Sequence, residues 1–401
     1  MATDATPYAT RQHLWLLAVL SVLLGFASIS TDLYLPALPA MAADLGASDG
    51  ALQWTISGYL AGFAIGQLFW GPLSDRYGRR VPVTIGVLVF VIGSAGCALS
   101  TDAWQIIGWR VVQALGASAG VALARAMVRD LYARDDAARV LSTLMTVMAV
   151  APLLGPVAGA QILEHASWQA IFWTLVGIGL LTAAAILTLP ETLPHDQRVS
   201  SSLGPVLAGY RSLLGNRQFV AYAVAVGFYY AGLFASIAGT PFAYISYHRL
   251  SPQLYSLMFA AMVVGLMIAD VANSLWVTRF GSRRMLLVGT VGAALSGILV
   301  AVVAGTGWGG IHSLVPAVFL FVSMNGFILA NAVAGALSSI ATRTGAAAAL
   351  IGAIQYGSGM VGSALVGLFT DGTPGPMGAI MAIGGIGSLV GPLLVERHRE
   401  G

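Results

Sequence analysis

Long apolar stretches recur along the whole chain, and they restrict what it can fold into. A helix that crosses the hydrocarbon core of a bilayer needs about 20 mostly apolar residues. Twelve stretches are suitable: 14–38, 51–71, 81–100, 104–126, 140–163, 168–189, 218–241, 253–276, 285–305, 313–338, 346–369 and 376–395. Only 9% of the 401 residues are charged, against roughly 25% in soluble domains. The sequence therefore predicts an all-α integral membrane protein with twelve transmembrane helices.

The arginines test this count and orient the chain. All 19 basic residues are arginine. With the N-terminus in the cytoplasm, 16 of them fall in cytoplasmic segments, only Arg249 lies on the opposite side, and Arg110 and Arg125 lie within the fourth stretch. This is the positive-inside bias of membrane proteins, and it predicts that both termini are cytoplasmic. The bias also accounts for the pI of 9.1 without a nucleic-acid partner.

A hydrophilic segment at 190–217 divides the chain into two parts. The predicted domains are an N-terminal six-helix half at 1–189, a cytoplasmic linker at 190–217 and a C-terminal six-helix half at 218–401. Within the linker, residues 203–215 are a candidate for a short interfacial helix. "RYGRR" (76–80) follows the second stretch and "RFGSRR" (279–284) follows the eighth, at a similar place in each half. Repeated halves of this kind predict two six-helix units around a central cavity.

Several chemistries are excluded or disfavoured by the residues present. Without lysine the chain cannot contain a Walker A phosphate loop, so ATP-driven transport by this chain alone is not expected. The six histidines lie in loops or near the ends of apolar stretches, and none has metal-ligand spacing. Cys97 has no cysteine partner. We therefore expect neither an enzyme nor a bound metal or cofactor.

The segment "GPLSDRYGRR" (71–80) resembles the cytoplasmic loop motif of the major facilitator superfamily. Gly71 and Gly78 suit a close backbone approach and a tight turn. We expect Arg79 to pair with Asp130, and Asp75 to face a helix N-terminus of the other half. The alternative is a loop that serves only to orient the chain. The resemblance implies a gating role for Gly71, Asp75, Arg76, Gly78, Arg79, Arg80 and Asp130.

The segment "APLLGPVAGA" (151–160) resembles the antiporter motif found in drug–proton exporters of this superfamily. Pro156 lacks an N–H group and is expected to kink the helix. Gly155 and Gly159 are four residues apart and form a small-residue face for tight helix contact. The alternative is the ordinary use of glycine and proline in membrane helices.

Two further segments narrow the resemblance to one branch of the superfamily. "WRVVQALGASAG" (109–120) matches the family's arginine-x-x-glutamine-glycine motif at Arg110, Gln113 and Gly116, although Ala114 stands where glycine is usual. Together with "STDLYLPALPAM" (30–41), it is similar to the bicyclomycin-resistance and chloramphenicol-efflux proteins. That resemblance implies polyspecific drug/proton antiport in the bacterial inner membrane.

Asp32 is the residue on which proton coupling would depend. Carboxylates inside the membrane are costly and usually face a cavity with a partner. Asp32 and Arg110 lie at similar depths in the first and fourth stretches, so we expect them to be level. Arginine stays charged, which makes Arg110 the fixed partner and Asp32 the group that changes its proton. The alternative is that Asp32 caps a helix end, since Pro36 follows.

The substrate site is expected to combine aromatic and methionine side chains with few polar anchors. Tyr230 and Phe234 share one helical face. Asp270 and Arg125 are candidates for a second acidic site and its neighbour, and Arg125 alternatively snorkels to the interface. The candidate substrate-binding residues are Asp32, Gln113, Tyr230, Phe234, Met262, Asn325, Gln355 and Tyr356.

These observations predict a secondary active transporter that exchanges protons for drug-like hydrophobic compounds by alternating access. The alternative is a proton-coupled exporter of one small metabolite, such as an amino acid or a sugar, on the same fold. The expected partners are drugs, protons and the lipid bilayer, and the expected state is a monomer.

Overall fold

The computed structural model describes residues 7–132, 134–198, 203–338, 340 and 344–397. The described residues form helices joined by turns and loops, and the chain ends and residues 199–202 of the predicted linker lie outside them. The helices are α1 (Pro7–Asp32), α2 (Leu38–Asp44), α3 (Asp49–Tyr77), α4 (Arg80–Leu99), α5 (Ala103–Leu131), α6 (Arg134–His165), α7 (Trp168–Leu187), α8 (Leu203–Leu214), α9 (Arg217–Pro241), α10 (Pro252–Phe280), α11 (Ser282–Thr306), α12 (Ile311–Ser323), α13 (Asn325–Ser338), α14 (Thr344–Leu368), α15 (Gly375–Ser388) and α16 (Val390–Arg397).

Among the described residues, ten helical segments are long and apolar enough to cross a membrane. The two other predicted stretches lie in α3 and α6, which have 29 and 32 residues and are therefore long enough. In α3 the polar residues Gln53, Thr55 and Ser57 are buried, because α3 packs between α5 and α14 instead of facing lipid on all sides. The chain is a multi-pass α-helical membrane protein.

One pair of helices, α3 and α10, has matching lengths and boundaries. Helices α3 and α10 both contain 29 residues. Each follows a serine N-cap, Ser48 or Ser251, whose side chain accepts a hydrogen bond from the backbone N–H three residues later. Each ends at a glycine in the positive-φ region, Gly78 at 89° and Gly281 at 82°. Each boundary of α10 thus lies 203 residues after its counterpart in α3.

Three of the predicted stretches are interrupted. The first ends as an α-helix at Asp32, continues through a 3₁₀ turn at Leu35–Ala37 and resumes as α2. Pro36 in that turn cannot donate a backbone hydrogen bond. The tenth stretch breaks at Met324, between α12 and α13, and the twelfth breaks at Leu389, between α15 and α16. A turn joins the ninth and tenth stretches, with positive φ at Gly307, Gly309 and Gly310.

The short helix predicted in the linker is confirmed as α8. It packs against α9 and α14, and the Tyr210 hydroxyl lies 3.5 Å from the Leu68 carbonyl oxygen of α3. We call the helices before residue 190 the first set and those after residue 217 the second set. Helix α8 therefore contacts both sets at the arginine-rich end of the molecule.

The two sets also meet at the arginine-poor end, through α3 with α14 and α6 with α10. The hydroxyl oxygens of Ser57 and Ser363 are 2.8 Å apart, and the Trp54 indole donates to the Ala364 carbonyl oxygen at 3.2 Å. The Ser256 hydroxyl lies 2.9 Å from the carbonyl oxygen of Pro156. These contacts join the sets on the side opposite to most of the arginines.

Candidate functional site

Asp32 is the last residue of α1. A carboxylate has acceptors only, so it cannot satisfy the carbonyl oxygens that end a helix. Its charge is also disfavoured by the helix dipole at that end. The α1 helix therefore does end near Pro36, as the helix-cap alternative expected. Stabilisation of that helix end does not, however, explain why an aspartate stands at position 32.

The glycines of α6 face the segment that contains Asp32. A Cβ atom added to Gly155 would lie 3.1 Å from the Asp32 Cβ, and one added to Gly159 would lie 1.7 Å from the Leu33 carbonyl oxygen. The tight helix contact predicted for Gly155 and Gly159 is present, and its partner is the end of α1. With Asp32 only 7% exposed, the acid is enclosed partly by these glycines.

Arg110 is fully buried in α5. Its Nη1 donates to the Ser30 carbonyl oxygen at 2.8 Å and to Gln113 Oε1 at 2.6 Å. Its guanidinium carbon lies 4.2 Å from the ring centroid of Tyr34 and 4.3 Å from that of Tyr59. Two aromatic faces thus stabilise the charge by cation–π interaction, which strengthens where water is excluded.

Asp32 and Arg110 lie at one level of the membrane, since Arg110 reaches the carbonyl oxygen two residues before Asp32. The sequence made Arg110 the expected fixed partner of Asp32, but the two side chains do not form a direct ion pair. Among the described residues, no Asp32 oxygen lies within 4.0 Å of the guanidinium. The charge of Arg110 acts on Asp32 at longer range. Within the described part of the chain, Nε and Nη2 of Arg110 are buried and have no hydrogen-bond partner.

Gln113 holds Arg110 in place. Its Oε1 accepts from Arg110, and its Nε2 donates to Ser94 Oγ at 2.8 Å. The side chain is fully buried within the first set. The predicted substrate-binding role of Gln113 is therefore not favoured, because both of its polar atoms are already bonded inside the protein.

A continuous series of aromatic rings connects Arg110 to the second set. We call it the aromatic path, and its members are Tyr59, Phe63, Tyr356, Phe234 and Tyr230. The centroid distances between successive rings are 6.1, 4.3, 6.0 and 6.1 Å. The path thus brings three predicted substrate residues together, and it crosses from α3 through α14 to α9.

Two other predicted substrate residues, Asn325 and Gln355, lie near Tyr230. Asn325, Gln355 and Asp270 are close enough for their dipoles or charge to act on the Tyr230 hydroxyl. Asn325 is buried, and its Oδ1 has no hydrogen-bond partner in the described part of the chain. Met262 is buried on α10. These side chains give the end of the path in the second set a few polar groups within an apolar surface.

Asp270 lies against the helix break that precedes α13. A Cβ on Gly326 would lie 2.5 Å from the Asp270 backbone nitrogen and 2.9 Å from its Oδ1. Asp270 is exposed on α10, and the first turn of a helix favours a nearby negative charge. Arg125 donates its Nε–H to the Val121 carbonyl oxygen at 3.1 Å. In the described chain neither residue has an ion-pair partner.

The loop between α3 and α4 contains a compact charge cluster. Arg79 donates from Nε to Asp130 Oδ2 at 2.7 Å and from Nη1 to Asp75 Oδ1 and Ser74 Oγ, both at 2.6 Å. The predicted Arg79–Asp130 pair is therefore present. In this structure the partner of Asp75 is Arg79 of its own set, whereas we expected a helix of the other half.

Glu191, which was not among the predicted site residues, holds the same loop. Its Oε1 accepts from the Arg79 N–H at 2.7 Å and its Oε2 from the Arg80 N–H at 3.2 Å. These N–H groups lie at the start of α4, where the side chain of the N-cap residue Arg79 makes no capping hydrogen bond. Burial alone would raise the pKa of Glu191, but the N–H groups of Arg79, Leu193 and Arg80, together with the Arg198 charge, hold it below its usual value.

The remaining residues of the loop motif have separate surroundings. Arg76 stacks on Tyr77, with 5.3 Å from its guanidinium carbon to the ring centroid. The Arg80 guanidinium donates to the Leu187 carbonyl oxygen at the end of α7. The turn predicted at Gly78 is confirmed by its φ of 89°. The close approach expected at Gly71 is wrong, because apart from the neighbouring backbone of α3 no described atom lies within 4 Å of a Cβ at that position.

The comparisons with known proteins agree with this architecture. Residues 19–367 match the family model described as Major Facilitator Superfamily. The chain belongs to the Major Facilitator Superfamily. As a member it is a membrane transporter, which agrees with the expectation that it is not an enzyme.

Individual relatives of this superfamily member match it over nearly their whole lengths. An uncharacterised MFS-type transporter, YdgK of Bacillus subtilis, is 37% identical, with 94% of this chain and 95% of the relative covered. The bicyclomycin resistance protein homolog of Haemophilus influenzae is 31% identical over 90% of each chain. The partially occluded inward-open xylose transporter XylE of E. coli aligns with a TM-score of 0.73 over 96% of this chain and 97% of XylE, at 15% identity, which shows the shared fold.

Proposed function

We propose that this superfamily member exports drug-like hydrophobic compounds in exchange for protons, by alternating access across the bacterial inner membrane. It would act as a monomer with both termini in the cytoplasm, an orientation that follows from the arginine bias. The proposal is supported by relatives whose names denote drug resistance. Those names do not favour a dedicated metabolite exporter.

The observation that carries the proposal is the position of Asp32. It is a buried acid at the end of α1, enclosed by Gly155 of the antiporter motif and level with the permanent charge of Arg110. A buried carboxylate is the group in this region whose charge can change, because arginine remains protonated. Protonation of Asp32 from the periplasm and its deprotonation to the cytoplasm would therefore be the proton-coupling step.

The same position explains how a proton would act on the two sets. Asp32 and Leu33 contact α6 at Gly155 and Gly159. One helical turn or less away, Pro156 of α6 contacts Ser256 of α10 in the second set. A change of charge at Asp32 is thus two contacts away from the interface that closes the arginine-poor end. Each charge that crosses the membrane potential supplies about 2.3 kcal/mol per 100 mV.

The aromatic path provides the surface for the exported compound. Its rings belong to both sets, so a compound bound along it would contact α3, α9 and α14 together. Aromatic faces accept many hydrophobic shapes, and the nearby Asn325, Gln355 and Asp270 would orient polar groups. We therefore assign cargo binding to Tyr230, Phe234 and Tyr356, and proton coupling to Asp32 with Arg110.

The test compares drug susceptibility of cells that express the wild type, Asp32→Asn or Asp49→Asn. Asp49 is an acid at the start of α3 outside the site and serves as the matched control. We expect wild type and Asp49→Asn to protect cells, and a protonophore to abolish the protection. Asp32→Asn should reach the membrane in equal amounts and give no protection. Protonophore-sensitive protection by Asp32→Asn would contradict the proposal.

A further inference from the structure

Two charged side chains of opposite sign lie within the membrane-spanning helices and take no part in the proton-coupling step. Arg125 belongs to α5 of the first set and Asp270 to α10 of the second set. Among the described residues, no acid lies within 4.0 Å of the Arg125 nitrogens and no base within 4.0 Å of the Asp270 oxygens. A charge inside the membrane is costly without a partner, so such residues commonly face a cavity and mark the path of the cargo.

The guanidinium of Arg125 points towards the middle of the membrane. Its Nε–H donates to the Val121 carbonyl oxygen at 3.1 Å, and Val121 is one helical turn nearer the arginine-poor end. This direction is opposite to the one in which the side chain would snorkel to the interface. The guanidinium charge acts on the Tyr356 hydroxyl of α14, and the other charge that acts on Arg125 is the like charge of Arg129. The cation of the first set therefore faces a ring of the aromatic path that belongs to the second set.

Asp270 lies beside a buried hydrogen-bond acceptor that has no partner in the described chain. A Cβ on Gly326 would lie 2.9 Å from Asp270 Oδ1, so the carboxylate contacts the start of α13. The preceding residue there is Asn325, which is 9% exposed and whose Oδ1 makes no hydrogen bond with any described residue. The Asp270 charge also acts on the Tyr230 hydroxyl at the end of the aromatic path. A carboxylate and an amide oxygen side by side suit an ammonium group, which has only donors.

The two charges stand beside different rings of the aromatic path. Arg125 acts on Tyr356 and Asp270 acts on Tyr230, and the ring of Phe234 lies between these two tyrosines. An aromatic compound along the path would thus have a cation near one end and an acid near the other. A purely cationic compound would leave Arg125 without a counter-charge, and a purely anionic one would leave Asp270 without one. A compound with opposite charges at the two ends of its aromatic core satisfies both residues.

We propose that the aromatic path binds zwitterionic aromatic compounds, with their carboxylate on Arg125 and their ammonium group on Asp270 and Asn325. The inference rests on the proposed function, because it takes the aromatic path as the surface for the exported compound. The Arg125 guanidinium binds a carboxylate through parallel N–H groups, and the rings of the path stack on the aromatic core. The site thus selects compounds whose opposite charges are separated by a core of aromatic rings.

The first measurement is binding of four matched biphenyl compounds to the purified full chain, by isothermal titration calorimetry at neutral pH. The zwitterion carries an aminomethyl group at one end and a carboxyl group at the other. Its methyl ester is a cation, its N-acetyl derivative is an anion, and the derivative with both changes is neutral. We expect the wild type to bind the zwitterion about ten-fold more tightly than the cation or the anion. Equal binding of these three compounds would overturn the proposal.

Variants assign each charge to its residue. Arg125→Gln should weaken binding of the zwitterion and the anion about ten-fold, and leave binding of the cation and the neutral compound unchanged. Asp270→Asn should weaken binding of the zwitterion and the cation and leave the other two unchanged. The controls are Arg129→Gln, at the next basic residue of α5, and Asp49→Asn at the start of α3. Both controls should keep the wild-type order of affinities.

Weaker binding of all four compounds to both test variants would assign Arg125 and Asp270 to the support of the fold and overturn the charge match. The wild-type comparison needs no variant, so it decides the proposal even where a variant fails to fold.

The susceptibility test of Asp32→Asn decides the proposed function separately, because it changes neither Arg125 nor Asp270. Intact drug protection by the wild type, without a preference for the zwitterion, would overturn the charge match alone. The predicted binding pattern without any drug protection would retain the charge match and contradict proton-coupled export.

Discussion

Gly159 of α6 lies directly against the backbone carbonyl of Leu33, the residue that follows Asp32. A Cβ at position 159 would be 1.7 Å from that oxygen. Backbone cannot rotate away as a side chain can, so any larger residue has to move α6 from the end of α1. The antiporter motif therefore fixes the distance between the acid and the helix that contacts the second set.

The first prediction tests this contact with three glycine-to-alanine variants. Gly159→Ala should destabilise the protein by about 1–3 kcal/mol through overpacking and reduce transport. Gly155→Ala should have a smaller effect, because its Cβ would be 3.1 Å from the Asp32 Cβ. Gly177→Ala in α7 is the control, since apart from the neighbouring backbone of α7 no described atom lies within 4 Å of its Cβ. The order of the three variants is measured by thermal unfolding in detergent and by drug transport. Equal behaviour of Gly159→Ala and Gly177→Ala would contradict the prediction.

The second prediction separates the two interactions of Tyr59. Tyr59→Phe keeps the ring over Arg110 but loses the 2.6 Å hydrogen bond with Ser30 Oγ, a loss of about 0.5–1.5 kcal/mol. Tyr59→Leu also removes the ring, which should cost about 1–2 kcal/mol more at this buried site. Unfolding temperatures should therefore fall in the order wild type, Phe, Leu. Similar values for Phe and Leu would show that the ring does not stabilise the guanidinium.

The third prediction ranks the two acids bonded to Arg79. The side chain of Asp75 is 51% exposed and that of Asp130 is 17% exposed. Exposed ion pairs contribute about 0–1 kcal/mol, while hydrogen bonds to a charged group away from water contribute about 1.5–3 kcal/mol. Asp130→Asn should thus lower the unfolding temperature more than Asp75→Asn. The reverse order would mean that exposure does not govern this cluster.

The fourth prediction concerns pH and Glu191. Its pKa is lower in the folded protein than its ordinary value of 4.5, so the charged form contributes stability above that value and the contribution is lost as the pH falls through the lower folded pKa. Glu191→Gln should therefore be less stable than wild type at pH 7, by about 1 kcal/mol, and the difference should shrink below pH 4.5. A difference that is constant between pH 7 and pH 3.5 would contradict this role.

The fifth prediction tests whether the arginine-poor end has to open. Ser57 and Ser363 belong to different sets, and their hydroxyl oxygens are 2.8 Å apart, which suits a disulfide if both become cysteine. Oxidation of Ser57→Cys with Ser363→Cys should stop transport, and a reductant should restore it. The single variants are the controls, because each adds only one cysteine. The natural Cys97 is buried and is therefore not expected to pair with it. Full transport by the oxidised double variant would show that the two sets need not separate there.

The sequence predicted depth along the membrane better than contact around the helix axis. Counting residues placed Asp32 and Arg110 at one level, and the structure agrees. It did not reveal that Arg110 lies between Tyr34 and Tyr59, because that depends on how α3 and α5 are rotated towards the end of α1. The only signal was the presence of two tyrosines near that level.

The loop motif shows the same difference between contacts that the sequence predicts and contacts that it does not. The pair Arg79–Asp130 was predictable, since both residues follow from the positions of helix ends on one side of the membrane. Glu191 was missed because its role depends on the path of the segment after α7, which no local pattern encodes. Its signal was a single acid directly after the sixth apolar stretch. The break at Asp32 was anticipated from Pro36, whereas the break at Met324 has no proline beside it.

The two tyrosine faces around Arg110 have a consequence for the energetics of exchange. If Asp32 gains and loses a proton in each turnover, the cation beside it is solvated by rings in both cases and never depends on the acid as its counter-ion. The ring faces in contact with the guanidinium then stay the same while Asp32 alternates between neutral and anionic. Turnover would thus require the surroundings of the carboxyl group to adjust, while the guanidinium keeps its two aromatic neighbours.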